Sequence, residues 1–338
     1  MTLKSIVKAN GIHYTPAELA AFLADRVAEY LPAQPRSPWI LDPACGTGAL
    51  LEAMLQRLPR GARERSSVVG FETDSVALQA ARAALSNGST PPGGSAGHLE
   101  LVHADFLETG ARVEEDLQHK NGDGNNRDRP AKNEPRRFDV VVANPPYVRS
   151  QALGAQRSQE LARRFELSGR VDLYQAFVKA MWSVMKPGAV LGLLTSNKFL
   201  TTASGAATRR LLRQEFDLLE ILDLGDTKLF AAAVLPVIVI ARRKSPSQSS
   251  EQDARFTRVY QSRSANAPAL GRGKRVSLLA TLRSTTVAGE ITAAEGTYSL
   301  QQGVLAPGAP DDMWTLATPE SQAWLAALAA GRASVFAD

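Results

Sequence analysis

Apolar residues fall along this chain in two rhythms. Short apolar runs closed by turn residues alternate with longer stretches in which apolar positions recur every three to four residues. Trp39 to Leu41, Val68 to Phe71, Leu99 to Val102, Asp139 to Ala143 and Ala189 to Thr195 predict buried strands. Leu19 to Leu31 and Ala49 to Leu58 predict helices, as does the run from Val171 that stops at Met185-Lys186-Pro187-Gly188. Strand, turn, helix, repeated, is the grammar of a doubly wound α/β sheet. Three polar stretches interrupt it. Ser86 to Gly97 is rich in Gly, Pro and Ser; Glu108 to Arg137 is charged and is expected to be a mobile insertion; Ser245 to Asp253 has the composition of a linker. Beyond it lie a predicted strand (Phe256 to Tyr260), a basic segment (Arg272 to Arg275), apolar pieces at 276–282 and a helix from Glu320 to Ala330.

Chemistry gathers where predicted strands end. The fourth run is followed by Asn144-Pro145-Pro146-Tyr147. The Asn amide oxygen and the Pro145 carbonyl can each accept a hydrogen bond from one NH₂ group. The prolines remove competing N–H donors and fix φ, so those acceptors are held still. The Tyr ring offers a flat face to a base or amide. A plain turn capping a strand is the competing interpretation, because Asn-Pro is a common turn signal. Its place behind a second motif sets it apart.

That motif is Leu41-Asp42-Pro43-Ala44-Cys45-Gly46-Thr47-Gly48, between the first strand and its helix. Gly46 and Gly48 let the backbone pass close to a ligand, and the helix N-terminus offers free N–H groups. Position 51 is Leu, so the third glycine of a dinucleotide site is absent, and so is a P-loop Gly-Lys-Ser/Thr. Glu72, at the end of the second strand, stands where a carboxylate can accept from both hydroxyls of a ribose; a solvated acid is the alternative. After the third strand, Asp105 can accept from an adenine amino group and Phe106 can pack on the ring.

This order of motifs resembles the gamma-class, adenine-N6-specific DNA methyltransferases of restriction–modification systems. It is similar to the methylase part of fused type II restriction–methylation enzymes. The resemblance rests on the two motifs above and on Gly11-Ile12-His13-Tyr14-Thr15-Pro16, which precedes the glycine turn as in the gamma order. Val171-Asp172-Leu173-Tyr174-Gln175-Ala176-Phe177, Ser196-Asn197-Lys198-Phe199, Leu218 to Leu224 and Phe230 to Ala241 extend it to about residues 10–243. It implies a seven-stranded methyltransferase sheet with its last strand antiparallel, an N-terminal helical segment and a short C-terminal extension. It implies S-adenosylmethionine held by Tyr14, Thr15, Pro16, Asp42, Ala44, Cys45, Gly46, Gly48, Glu72, Asp105 and Phe106. Asn144, Pro145, Pro146 and Tyr147 would be catalytic, and Phe230 and Lys198 would contact the substrate, Phe230 as a second stacking aromatic. It divides the chain into a catalytic domain (1–244), a linker (245–254) and an extension (255–338) that can open a target-recognition region. The partners implied are double-stranded DNA and a recognition domain or specificity subunit, in the cytoplasm of a bacterium or archaeon.

Composition changes this picture little. A chain of 338 residues, 44% hydrophobic, can bury a full core, and its net charge of +5 suits a polyanionic partner. Arg157, Arg163, Arg164 and Arg170 follow the Asn-Pro-Pro-Tyr turn, and Arg209, Arg210 and Arg213 come later. Flanking phosphates or plain solvent are both open to them. The single cysteine, Cys45, cannot form an internal disulfide and suits a reducing compartment; it reads as a packing residue. The four histidines lack ligand spacing, so no metal is expected. No signal peptide and no apolar run of membrane-spanning length is seen. Three other functions stay open: methylation of a protein glutamine amide, methylation of RNA adenine, and a module that binds nucleic acid without catalysis.

Overall fold

Strands that read as unbroken apolar runs must be covered on both faces, which a parallel sheet with helices on each side achieves. The computed structural model describes residues 14–33, 35–86, 97–109, 137–147, 153–167, 171–227, 229, 235–245, 253–262, 276–285, 287–306 and 308–329. Its strands are β1 (Trp39–Asp42), β2 (Ser67–Glu72), β3 (His98–His103), β4 (Phe138–Ala143), β5 (Met185–Ser196), β6 (Phe216–Asp223) and β7 (Pro236–Arg243). They lie in the order β3-β2-β1-β4-β5-β7-β6. β1 runs parallel to β2 and β4, and β7 inserts antiparallel between β5 and β6. This is the doubly wound methyltransferase-type sheet that the sequence implies.

The sheet does not stop there. β8 (Arg255–Gln261) pairs parallel with the outer edge of β6. β10 (Gly296–Leu305) pairs antiparallel with β8, and β9 (Gly289–Ala293) and β11 (Leu316–Ala317) both pair with β10. Among the described residues the sheet therefore has eleven strands, and the segment expected to be an extension adds four of them. The reason is electrostatic as well as apolar. Glu220 of β6 is buried, and Arg255 of β8 approaches it at 3.5 Å, beside the Arg26 guanidinium that bonds it at 2.7 Å.

Alternate residues of each strand feed opposite cores. Ile40, Val190 and Leu194 join one cluster, with Leu19, Phe22 and Leu23 of α1 (Ala17–Ala28) and Met54 of α2 (Ala49–Arg57). Leu41, Leu191 and Leu193 join the other, with Phe177 and Met181 of α4 (Leu173–Val184). The helix α3 (Ser75–Ser86) adds Leu78, Ala81 and Leu85 to the first cluster. α5 (Ala206–Glu215) and the buried Trp314 belong to the second, while α6 (Leu278–Ser284) packs its Leu278 and Leu279 into the first. A final helix, α7 (Pro319–Ala329), follows β11.

One boundary differs from expectation. The helix expected to run to Met185 ends at Val184, and β5 already begins at Met185. The ladder to β4 slips between Phe138 and Val140, opposite Pro187, which has no N–H to give.

Candidate active site

In an open α/β sheet a ligand sits beyond the carboxyl ends of the strands, where strand order reverses. Here that point lies between β1 and β4, and a cleft with about 980 Å³ of open space occupies it. The glycine turn after β1, Glu72 at the end of β2, Asp105 and Phe106 after β3, and Asn144 to Tyr147 after β4 all line it. Tyr14 and Thr15 reach in from the segment before α1, and Leu173 and Phe177 from α4. Motifs distant in sequence thus share one cavity.

The turn owes its shape to what presses on it. Gly46 has φ +53°, and a Cβ there would stand 2.8 Å from Cδ1 of the Tyr14 ring. The N–H of Gly46 donates to Glu72 Oε2 at 2.8 Å. The other oxygen of Glu72 accepts from the N–H groups of Thr73 and Asp74, each at 2.8 Å. That carboxylate binds the two loops to each other, which leaves part of its acceptor capacity for a ligand. Gly48 serves a different purpose from the one expected. It is not in the cleft wall; it has φ +86°, caps α2, and a Cβ would meet that of Ala81 at 3.2 Å. Its small size lets α3 close on the turn.

Asp42 is 1% exposed, and its Oδ1 accepts from the Ala44 N–H at 3.0 Å. Burial pushes its pKa up to about 8 against the lowering effect of that bond, and the charge of Glu72 adds to the rise. Cys45 is buried, and burial followed by the charges of Asp42 and Glu72 pushes its thiol far up, so it is no nucleophile. Tyr14 points its hydroxyl at Asp74 Oδ2, 3.4 Å away, and burial ahead of the neighbouring charges raises it to about 12.

At the other end of the cleft, Asn144 is held from both sides. Its Nδ2 donates to Thr15 Oγ1 at 3.0 Å, and its Oδ1 accepts from the Tyr147 hydroxyl at 2.5 Å. Burial raises the pKa of that hydroxyl, so it remains a donor at neutral pH. Pro145 is buried beside it.

Other expected residues fall differently. Phe106 borders the cleft, but its ring packs edge-on to Phe71 at 5.3 Å and stacks on Phe177 at 6.2 Å, so it is chiefly core. Asp105 Oδ1 accepts from the Leu107 N–H at 2.8 Å and so caps the short helix Phe106–Thr109. Pro16 stands at the start of α1, outside the cleft wall, and its carbonyl accepts from Ala20. Lys198 is exposed and does not line the cleft. Phe230 lies outside the described residues, as do Gly11 to His13 and Arg170. The arginines are mostly engaged within the chain. Arg157 and Arg164 pair with Glu108, Arg210 pairs with Asp311, and Arg213 lies over the Trp314 ring. Arg209 is 2% exposed and donates to the carbonyls of Phe199, Thr202, Asp311 and Asp312.

Leu173 and Phe177, four residues apart on one face of α4, are cleft residues that motif matching did not single out as ligand contacts. Their spacing was the available signal. Among the described residues no cluster of His, Cys, Asp and Glu could hold a metal ion, and no helix is long and apolar enough to cross a membrane.

Comparison with known proteins accords with this geometry. A family model for the Eco57I restriction-modification methylase matches residues 69–230, and one for N-6 DNA Methylase matches residues 3–87. The type II methyltransferase M.BanIII of Aneurinibacillus aneurinilyticus is 33% identical over 324 residues, 94% of this chain and 53% of that protein. M.PaeR7I of Pseudomonas aeruginosa is 28% identical over 258 residues, 70% of this chain and 41% of that protein. The chain thus spans about half the length, or less, of these curated relatives. Among solved structures, the DrdV–DNA complex has a TM-score of 0.59 at 16% identity, covering 94% of this chain and 32% of that one. The type IIG restriction endonuclease BpuSI has a TM-score of 0.56 at 15% identity, covering 89% and 32%. At such identities these two likenesses speak for the fold.

Proposed function

Because the chain belongs to the family of restriction–modification DNA methylases, we propose that it transfers a methyl group from S-adenosylmethionine to the N6 amino group of an adenine in double-stranded DNA. The observation that carries this is the shared cleft, in which the glycine turn and Glu72 face the same space as Asn144 and Tyr147. A base paired within a duplex cannot enter such a cleft, so the adenine is flipped out. Recognition of a particular sequence belongs to a target-recognition domain or specificity subunit, and the setting is the cytoplasm of a bacterium or archaeon.

The residues present suit the cofactor. Glu72 retains acceptor capacity for ribose hydroxyls, Tyr14 and Phe106 supply aromatic surface, and Asp42 is a buried acid beside a space fit for a cation. When bound, S-adenosylmethionine supplies a methyl group on a sulfonium, already an excellent leaving group. The protein's part is to hold the amine in line, an effect that can be large. Asn144 Oδ1 and the Pro145 carbonyl accept the two N–H bonds and draw the nitrogen lone pair out of conjugation with the ring. The N6 proton becomes acidic only as the methyl arrives, so it passes to solvent without a strong base. Tyr147 stacks on the base once its hydroxyl leaves Asn144.

Asp42 gives the reaction a pH signature. Below about pH 8 its buried carboxyl holds a proton, raised there by burial first. A cation bound beside it favours the ionised form and must expel that proton. Affinity for S-adenosylmethionine is therefore expected to rise with pH from about 6 to 8, by at most about tenfold per unit, and to level off above. Asp42→Asn should bind more weakly and lose the slope. Titration calorimetry in buffers of different ionisation enthalpy checks both, and a flat wild-type profile would count against the assignment.

The function itself is tested by labelled methyl transfer to unmethylated DNA, RNA and a protein extract in parallel. Label recovered from DNA as N6-methyladenine supports the proposal. Label confined to RNA or protein would keep the chemistry and replace the substrate.

A further inference from the structure

We propose that Asn197 is a further DNA-contacting residue: its carboxamide oxygen accepts a hydrogen bond from the thymine that a flipped-out adenine leaves behind in the duplex. This rests on the function proposed above and deepens it, and it concerns the base that stays in the stack rather than the one that is methylated.

Asn197 directly follows β5, which lies parallel to and beside β4, the strand that ends at Asn144. Ala143 is level with Leu193 in that ladder, so Asn197 comes three positions beyond the level of Asn144. At about 3.3 Å per residue that is about 10 Å farther out from the carboxyl end of the sheet. Asn197 is half-buried and does not line the cleft, so it is placed to meet what stays outside when a base enters. Its amide has a defined orientation. Nδ2 donates to Asp223 Oδ1 at 2.9 Å and points to the Tyr260 hydroxyl at 3.4 Å. Asp223 is 2% exposed, and its carboxylate is ringed by donors: the Tyr260 hydroxyl at 3.0 Å, the Gly225 N–H at 3.2 Å and the Arg258 guanidinium at 3.5 Å. A carboxylate among donors accepts, so it takes the nitrogen end of Asn197 and leaves the oxygen end outward. No described residue bonds that oxygen.

The backbone is held as firmly. The Asn197 N–H donates to the Leu235 carbonyl at 2.8 Å, and its carbonyl accepts from the Leu200 N–H at 2.9 Å. A solvated surface amide needs no such anchoring, and burying a carboxylate to supply it is costly unless every lone pair is bonded. A fixed acceptor selects a donor. The pairing edge of thymine carries one N–H, at N3, between the acceptors O2 and O4. That N–H loses its partner when adenine leaves the stack, and an unpaired polar group in a stack is costly. Asn197 Oδ1 replaces the lost acceptor, and the ammonium of Lys198, exposed and next in the chain, is the kind of donor that O2 or O4 needs.

The test is a double-mutant cycle between protein and DNA. Mapping N6-methyladenine in DNA treated with the wild type first identifies the target. Kd is then measured for two duplexes, one with thymine opposite the target adenine and one with an abasic site there, with S-adenosylhomocysteine present so that no turnover occurs. Asn197→Ala is expected to weaken binding of the thymine duplex by about threefold to tenfold, the scale of one hydrogen bond, and of the abasic duplex by less than about twofold. Kd for S-adenosylmethionine alone should be unchanged. General damage to the fold would penalise both duplexes alike, so the difference between the two penalties isolates the contact. Asn197→Ser takes the place of Asn197→Ala if melting shows the latter unfolded. The proposal is overturned by the absence of a penalty on the thymine duplex, or by an equal penalty on both, while the wild type still methylates DNA. If the wild type methylates no DNA, the proposed function fails first and this contact falls with it.

Discussion

Asn144→Ala is expected to lower methyl transfer by at least about a hundredfold to a thousandfold, the cost of deleting one preorganised polar contact to a reacting group. In the proposed reaction two acceptors meet the amine, Asn144 Oδ1 and the Pro145 carbonyl, and only the first is a removable side chain. With a single acceptor the nitrogen keeps its lone pair in the ring and turns away from the methyl group. The hydrogen bonds that Asn144 makes to Thr15 and Tyr147 are also lost. Cofactor binding should survive within several-fold, since Asp42, Gly46 and Glu72 make none of their contacts through Asn144. Single-turnover transfer and equilibrium binding, measured on the same preparation, separate the two effects. Transfer near the wild-type rate would remove Asn144 from the chemistry.

Trp314→Ala is expected to destabilise the protein by about 3–5 kcal/mol, the usual range for emptying a large buried aromatic site. Trp314 is 0% exposed and lies in the segment leading to β11. Its ring meets Phe199 edge-on at 5.5 Å, and its backbone N–H donates to the Leu200 carbonyl at 2.7 Å. The carbonyls of the preceding Asp311 and Asp312 accept from the buried Arg209. The last described strand is thus fastened to the short helix that follows β5. Trp324→Ala on α7 is the control: that residue is 53% exposed, and its loss should cost no more than about 0.5 kcal/mol. Urea unfolding with comparable m-values compares them. A cost under about 1 kcal/mol for Trp314→Ala would show that the segment is only loosely attached.

What the sequence disclosed and what it hid divide along contact distance. β1 to β4 were legible because each is a continuous apolar run, and the turns after them because Gly46 and Asn144 sit in short, chemically distinctive strings. Nothing local reveals that Tyr14 lies on Gly46 or that Thr15 meets Asn144, residues 129 positions apart. β10 is less legible, because its few apolar residues are separated by glycines and polar residues. Yet Tyr298 and Leu300 are buried and flank exposed or half-exposed polar neighbours, a two-residue rhythm that was there to be read. The arginines misled in another way. Charge suggests solvent or phosphate, whereas Arg209 spends its guanidinium on backbone carbonyls inside the fold.

The junction of β6 with β8 bears on how this protein can be divided. β6 is eight residues long, and the outer edge of its second half, Glu220 to Asp223, is paired by β8. A cut between Lys244 and Arg255 would leave every residue of the proposed catalytic cleft in place and still bare that edge. The exposed N–H and C=O groups would form a template for a second molecule, the usual origin of sheet-to-sheet self-association. Glu220 would lose Arg255 and keep Arg26, and Asp223 would lose the Tyr260 hydroxyl that bonds it at 3.0 Å. The smallest piece holding the chemistry is therefore smaller than the smallest piece that should stay monomeric, and recombination between relatives would be better tolerated beyond β11 than at the polar stretch where the composition invites it.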